Sequence, residues 1–511
     1  MVWQDMMFSV AMYPVYQEFL DSVATEIRQQ VRRLKHHPSI LCWAGNNENE
    51  LALRQNWFGT FVNFTLYYDN YVQLYVKVIQ SVILSEDSTR DYLVSSPSDG
   101  EESVREGYVA QDPASELYGD IHYYDYSVDQ WNASSFKIPR MASEYGVQSW
   151  CNNESLANVF APEDFQMGSS MVNHRQHHPG GNDQMALEVG LHLNLPNSTN
   201  ATSNFIDFIY LTQINQAMSI RTQSEHYRRY QSQLQSDARG LTMGALYWQL
   251  NDIWQAPTWA SIDYEGSWKM LHYYARSFFN KNLVSPYLKD SDTLDVFMII
   301  DEIPVMKVRS CDGKLSFQPV FNMADLIRME YPADRISEAL WDMSRSTAGN
   351  LSVQIYNYKS FNVLFSWSTT YNVKTTAESV FTKKISDLLS ESGCPSVEDC
   401  LLFLTATDFS GTVVSTSWLP LAYPKFSSLL PAEVKIDSVT SIDDYTFNIQ
   451  VSTDAIALFV WLATDNIHGY FSDNGFVMLT PSIQIQFHAQ EVVTVDQLSS
   501  LLHVRSVSQV K

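Results

Sequence analysis

Ile40-Leu-Cys-Trp-Ala-Gly-Asn-Asn-Glu-Asn-Glu50 decides how the front of this chain is read. Its apolar half, residues 40–44, follows His37-Pro38, shows no helical period and stops at Gly45. A short apolar run between breakers predicts a strand of a parallel sheet buried on both faces. Glu48 stands just past the C-terminal end of that strand. Barrel enzymes place their chemistry there, so Glu48 is a candidate catalytic carboxylate. The plainer reading is that Glu48 and Glu50 open the next helix, where the helix dipole favours acids.

Outward from this stretch the chain alternates strand and helix. Residues 1–10 supply a strand ending near Trp3-Gln4-Asp5. Over 15–35, Phe19, Val23, Ile27, Val31 and Leu34 recur at helical intervals of three and four. A helix over 61–84 and strands over 92–95, 119–124 and 140–144 follow. Residues 151–204 read as a loop-rich insertion. A helix over 205–234, a strand over 244–250 and a helix over 268–279 close the series. This βα alternation predicts an α/β fold: an incomplete (β/α)8 barrel over 1–286, holding strands 3 to 8 and lacking the first two. Residues 2–10 and 246–250 would then be open sheet edges. Beyond Pro286, short alternating runs such as 353–358 and 447–451 lie between turn signals. They predict two immunoglobulin-like β-sandwiches, at 293–422 and 425–511.

A formal charge of -24 with no basic stripe argues against nucleic acid as a partner. No run of 18 apolar residues is present, so no membrane span is predicted. The surplus of Trp and Tyr suits sugar-binding clefts, though such residues also fill cores. Residues 1–8 carry no basic start and no cleavage site, so they are not a signal peptide. Opening in mid-strand, with Asn-X-Ser/Thr sequons at Asn63, Asn132, Asn153, Asn197, Asn200 and Asn350, the chain reads as a fragment of a longer glycoprotein. Five cysteines are too few for a disulfide scaffold. Cys394 and Cys400 bracket a short polar loop and can close a small disulfide in an oxidising compartment. Cys42 reads as an inert core thiol.

Arg140-Met-Ala-Ser-Glu144 repeats the logic of residues 40–50: a short strand with a glutamate at its end. If Glu48 follows the fourth strand of a full barrel, Glu144 follows the seventh, and the two carboxylates face each other across the mouth. Two carboxylates across a sugar-sized cleft are the minimum equipment for glycoside hydrolysis. A third stretch, residues 244–254, puts Trp248 and Asn251-Asp252 at the end of the last strand.

With these stretches the chain resembles glycoside hydrolase family 2, and within it the lysosomal-type β-mannosidases. The matching stretches are WAGNNENE (43–50), GDIHYYDY (119–126), SEYGVQSW (143–150), NHRQHHPGGN (173–182), GALYWQLNDIW (244–254), TWASIDYEGSWKMLHYY (258–274) and FSDNGF (471–476). The resemblance implies a retaining exo-β-mannosidase that removes terminal non-reducing β-D-mannose from oligosaccharides in N-glycan catabolism. It implies a lysosomal parent protein that needs no metal or cofactor. Glu48 then matches the acid/base, Glu144 the nucleophile and Asn47 the residue that binds the sugar 2-hydroxyl. Trp248 matches the aromatic floor of the mannose subsite. Tyr123 resembles the tyrosine that hydrogen-bonds the nucleophile, although His122-Tyr123-Tyr124 leaves the register open.

A retaining pair should stand about 5–5.5 Å apart, against roughly 6.5–9.5 Å for an inverting one. Before attack Glu144 must be ionised, held so by donors such as Tyr123, while mutual repulsion and partial burial keep a proton on Glu48. His174, His177 and His178 read as a loop lining the cleft mouth rather than a zinc cluster, since no Cys or acidic ligand is nearby. Glu50 reads as a helix-opening charge or a partner behind the catalytic pair. Two alternatives stay open: a truncated, non-catalytic fragment, and another family 2 exo-glycosidase acting on β-galactosides or β-glucuronides. The stretches 173–182 and 248–252 favour the mannoside.

Overall fold

The fold was taken from a computed structural model, which describes residues 1–301 and 348–510 together with the strands Val305–Arg309 and Leu315–Pro319. The remainder of 302–347, part of the sandwich expected over 293–422, lies outside the described residues. The chain divides into two compact units. The first takes Met1–Tyr124, Lys137–Tyr145 and Gln233–Tyr247; the second takes Asp125–Phe136, Gly146–Ser232 and Trp248–Lys511.

Two three-stranded parallel sheets form the first unit. One pairs β1 (Val2–Asp5), β2 (Ile40–Ala44) and β3 (Asp91–Leu93) in that order. The other pairs β4 (Ile121–Tyr123), β5 (Ala142–Tyr145) and β6 (Ala245–Tyr247). All of β2 is buried except Leu41. The helix α1 (Gln17–Leu34) buries Leu20, Val23, Ile27 and Val31, and these share one core with Trp43 of β2. The 3–4 spacing read from the sequence is thus the stripe that faces the sheet. Trp43 Nε1 donates to Asp87 Oδ2 at 3.0 Å, and Arg90 pairs with the same oxygen at 2.7 Å, so this buried carboxylate is neutralised and hydrogen-bonded.

The expected helix over 61–84 is a continuous run with three hydrogen-bond periods. A 3₁₀ turn (Thr60–Asn63) leads into α-helix (Phe64–Tyr71), π-helix (Val72–Gln80) and α-helix again (Ser81–Glu86). Asn63 caps it by accepting the Leu66 N–H. Residues 151–204 hold more order than a loop-rich insertion: helices span Asn153–Ala157, Ser170–Arg175 and Gly181–His192. The last of these mixes apolar, polar and glycine residues around its circumference, so no periodic stripe announces it. Among the described residues β1, β3, β4 and β6 each pair on one side only, and Val2, Met243 and Leu246 are exposed at or beside β1 and β6.

The second unit contains the long helix Ala201–Arg229, buried on most of its circumference from Phe205 onward. Downstream it carries two pairs of antiparallel sheets. In the first pair, the strands Val363–Asn372, Ala348–Asn357, Cys400–Asp408 and Val413–Pro420 form one sheet; Ala377–Lys384, Thr293–Ile300 and Asn282–Asp290 form the other. Val284, Val296, Val353 and Leu404 share their common core. In the second pair, Phe447, Ile449, Val451, Leu462 and Phe487 fill the core, and the strand Thr446–Thr453 alternates strictly between buried and half-buried positions. Cys394 and Cys400 form a disulfide, while Cys42 and Cys151 are buried free thiols. Among the described residues no helix is long and apolar enough to cross a membrane.

Candidate active site

β2 delivers Glu48 through a turn that few sequences allow. A Cβ on Gly45 would lie 2.2 Å from Tyr92 Oη and 2.6 Å from Val94 O, so only glycine lets the chain pass β3 this closely. Buried Asn46 then locks the turn. Its side chain donates to Val94 O at 2.8 Å and accepts the Asn49 N–H at 3.0 Å and the Ser95 hydroxyl at 2.7 Å. Glu48 follows in the left-handed region with φ 63°, at the N-cap of α2 (Asn49–Arg54). A non-glycine residue held there costs of order 1–2 kcal/mol. The residue that opens α2 is thus also the candidate carboxylate of the 40–50 stretch.

Glu144 lies on β5, and the β4–β5 register sets it opposite His122. One polar atom each from Glu48, His122 and Glu144 lies within 4.8 Å of the others. His122 Nδ1 is 2.9 Å from Glu48 Oε1 and 3.5 Å from Glu144 Oε2. Tyr124 Oη donates to Glu144 Oε1 at 2.7 Å. The His122 ring is buried, with 3% of its side chain exposed, against 16% for Glu48 and 18% for Glu144, so the carboxylates keep an opening that the imidazole lacks.

A second layer of polar groups backs the imidazole. Ser96 Oγ lies 3.1 Å from His122 Nε2 and donates to Asp120 Oδ2 at 2.7 Å. Asp120 Oδ1 accepts the Ser98 N–H at 2.9 Å, and Ser143 Oγ also donates to Oδ2. Burial pushes the Asp120 carboxyl up, against the pull of His122 and these donors. Burial likewise pushes Glu144 up, reinforced by Glu48 and Asp120, while His122 and Tyr124 pull it down. Donors hold Glu144 towards its charged form as expected, but desolvation is the larger effect and the imidazole is the main counterweight.

Glu50 sits in the first turn of α2, fully buried. It accepts the Ala110 N–H at 2.9 Å and the Ser103 hydroxyl at 2.8 Å. Burial raises its carboxyl to about 7. A group whose folded-state pKa is raised stabilises the fold fully below its unfolded pKa, and that contribution is lost as pH rises through the folded value. Glu50→Gln should therefore raise the melting temperature at pH 8, through a difference of at most about 3 kcal/mol. The gain should vanish near pH 4.5. Thermal melts of both proteins across that pH range check it.

The remaining candidates fall as follows. Asn47 is next to Glu48, with its backbone N–H on Phe8 O at 2.9 Å and Nδ2 3.3 Å from Ser9 Oγ. Trp248 belongs to the second unit, where its side chain is 44% exposed and its peptide bond to Gln249 is cis. A hydrogen bond to Glu144 of the kind expected of Tyr123 is made by Tyr124, the residue that follows β4. His177 packs on Trp254 with ring centroids 4.7 Å apart, and His178 meets Trp259 edge-on at 5.6 Å. Among the described residues no other trio of His, Cys, Asp or Glu side chains converges as Glu48, His122 and Glu144 do. Reading for strand-end glutamates overlooked His122 and Asp120. The available signal was two ionisable residues in Asp120-Ile-His122, within a strand expected to be buried.

Comparison with known proteins gives an independent view. Residues 429–510 match the family Ig_mannosidase, an Ig-fold domain. Over 99% of its length the chain is 38% identical to the beta-mannosidases of Capra hircus and Bos taurus. Over 97% it is 32% identical to a probable beta-mannosidase of Caenorhabditis elegans. The chain spans about half of these relatives, 53%, 53% and 52% of their lengths. In structure it is similar to the beta-D-mannosidase of Dictyoglomus thermophilum, with a TM-score of 0.73 at 21% identity over 99% of this chain and 53% of that one. The exo-chitosanase CsxA of Amycolatopsis orientalis is also similar, with a TM-score of 0.59 at 12% identity over 97% of this chain and 54% of that one. The chain is thus related to beta-mannosidases along nearly its whole length, and both structural likenesses concern the fold.

Proposed function

We propose that this chain carries the catalytic centre of a retaining exo-β-mannosidase of glycoside hydrolase family 2. The convergence of Glu48 and Glu144, drawn from two different sheets onto one imidazole with polar atoms within 4.8 Å, is the observation that carries the reading. Such closeness suits direct attack by a carboxylate better than the wider gap that admits a water molecule.

In this reading Glu144 attacks the anomeric carbon while Glu48 protonates the departing oxygen. Glu48, now ionised, then takes a proton from the water that hydrolyses the glycosyl ester. Asn47 binds the sugar 2-hydroxyl, Trp248 forms the floor of the mannose subsite, and Tyr123 contributes to the same subsite beside the Tyr124 bond to Glu144. The two parallel sheets, β1 to β6, correspond to strands 3 to 8 of a (β/α)8 barrel over 1–286, followed by immunoglobulin-like sandwiches over 293–422 and 425–511. A lysosomal parent protein acting in N-glycan catabolism agrees with the mammalian relatives, the Cys394–Cys400 disulfide and the sequons.

The test is release of a chromogenic aglycone from aryl β-mannoside, β-galactoside and β-glucuronide at mildly acidic pH. The chain is assayed by itself and beside a form extended at its N-terminus, which tests whether activity needs further strands at the sheet edges. Hydrolysis confined to the β-mannoside is expected. Preference for another glycoside would reassign the substrate. No hydrolysis by either form would leave the non-catalytic reading.

A further inference from the structure

The His122 imidazole touches both carboxylates of the proposed reaction, and its second nitrogen is committed elsewhere. Ser96 has one hydroxyl proton, and of its two acceptors Asp120 Oδ2 at 2.7 Å is far closer than Ser143 Oγ at 3.5 Å, so the proton goes to Asp120. At 3.1 Å from His122 Nε2, the Ser96 oxygen is therefore the acceptor, so Nε2 carries a hydrogen. With Nε2 protonated, the only proton left in play on the ring is the one at Nδ1. That atom faces Glu48 Oε1 at 2.9 Å and Glu144 Oε2 at 3.5 Å.

We infer that His122 is a positioning residue that stays an imidazolium throughout the cycle, its Nδ1–H hydrogen-bonded to Glu48 and close enough to Glu144 for its charge to serve whichever of the two is ionised. This deepens the retaining-hydrolase reading and rests on it for its functional meaning. The charge balance requires such a partner. In the first step a Glu144 oxygen bonds to the anomeric carbon, the carbon–aglycone oxygen bond breaks, and the Glu48 proton goes to that oxygen. One negative charge thereby leaves Glu144 and appears on Glu48. In the second step water oxygen bonds to the anomeric carbon, its proton returns to Glu48, and the ester bond to Glu144 breaks. The charge goes back. At each stage one carboxylate is anionic and one is not, and a single cation within reach of both stabilises either arrangement without moving more than a fraction of an ångström.

Four acidic groups face the ring: Glu48 from the turn after β2, Glu144 from β5, Asp120 from the residue preceding β4, and Asp5 from β1. Burial works against a charged imidazole, yet the Glu48 hydrogen bond and the fields of Glu144 and Asp120 carry His122 above the usual histidine range. Burial lifts Asp5 to about 6 and the His122 charge opposes that rise, so Asp5 adds its full charge only above that pH. The geometry is a backed cation: Asp120 behind, two exchanging anions in front.

The experiment is ¹⁵N NMR of histidine-labelled chain titrated between pH 5 and 9, with the His122 resonances assigned by their loss in His122→Asn. His122 should stay doubly protonated to well above the ordinary histidine value of about 6.5. Glu48→Gln and Glu144→Gln, which keep the side-chain shape, should each lower its pKa by roughly one unit or more, and Asp120→Asn likewise. A neutral His122 at pH 6, or a pKa unmoved by Glu144→Gln, would overturn the inference. These readings need no turnover, so they are separate from failure of the hydrolase assignment. In a form that hydrolyses β-mannosides, His122→Asn should lower kcat by roughly 10²-fold while changing KM much less, and should shift the pH profile. A purely structural loss would leave that profile in place.

Discussion

Glu144→Gln is expected to lower hydrolysis of an aryl β-mannoside by roughly 10³-fold or more, in whichever form of the protein is active. An amide oxygen is a poor nucleophile, so the covalent step has no partner. The fold should survive, because glutamine matches glutamate in shape and its carbonyl can still accept the Tyr124 hydroxyl now held at 2.7 Å. Burial already disfavours charge on Glu144. Removing that charge should therefore leave the melting temperature unchanged or slightly higher. KM should move little, since the loss falls on the transition state. Steady-state rates and a thermal melt on the same preparation test both halves. Activity within tenfold of the parent would remove Glu144 from the mechanism.

Glu48→Ala should give a loss that depends on the aglycone. A dinitrophenolate departs without protonation, so its release should be little affected in the first step. The glycosyl ester then accumulates for want of a base, giving a burst and a lowered KM. A poorly departing sugar or alkyl aglycone needs the proton and should lose about 10²–10⁴-fold. Added azide needs no general base and should restore turnover on the dinitrophenyl substrate, yielding β-mannosyl azide with the configuration retained. Equal losses for good and poor leaving groups, with no azide product, would mean that Glu48 is not the proton donor. Alanine in the left-handed backbone at position 48 is strained much as glutamate is, so this variant tests the carboxyl rather than the turn.

Much of this arrangement can be read from local pattern. β2 occupies the stretch that an unbroken apolar run before a glycine marks out, and α1 buries the face that its 3–4 spacing predicts. Alternation marks the sandwich strands in the same way, as in Thr446–Thr453. Glu48 and Glu144 stand out because the end of a strand is a local property, visible one segment at a time. The helix Gly181–His192 was hidden because its sides do not differ in polarity. The Tyr124 bond to Glu144 was not legible, because three consecutive polar aromatics, His122 to Tyr124, offer no pattern to choose between them.

By itself, then, the sequence determined most of the strands and the periodic helices, and marked two acids at the ends of parallel strands, since periodicity and chain punctuation act between near neighbours. The tertiary structure alone decided that these acids share an imidazole, and that Ser96 and Asp120 stand behind it. Glu48, Ser96 and Glu144 reach His122 from separate segments, and Coulomb forces and hydrogen bonds depend on distance through space, which no spacing along the chain encodes.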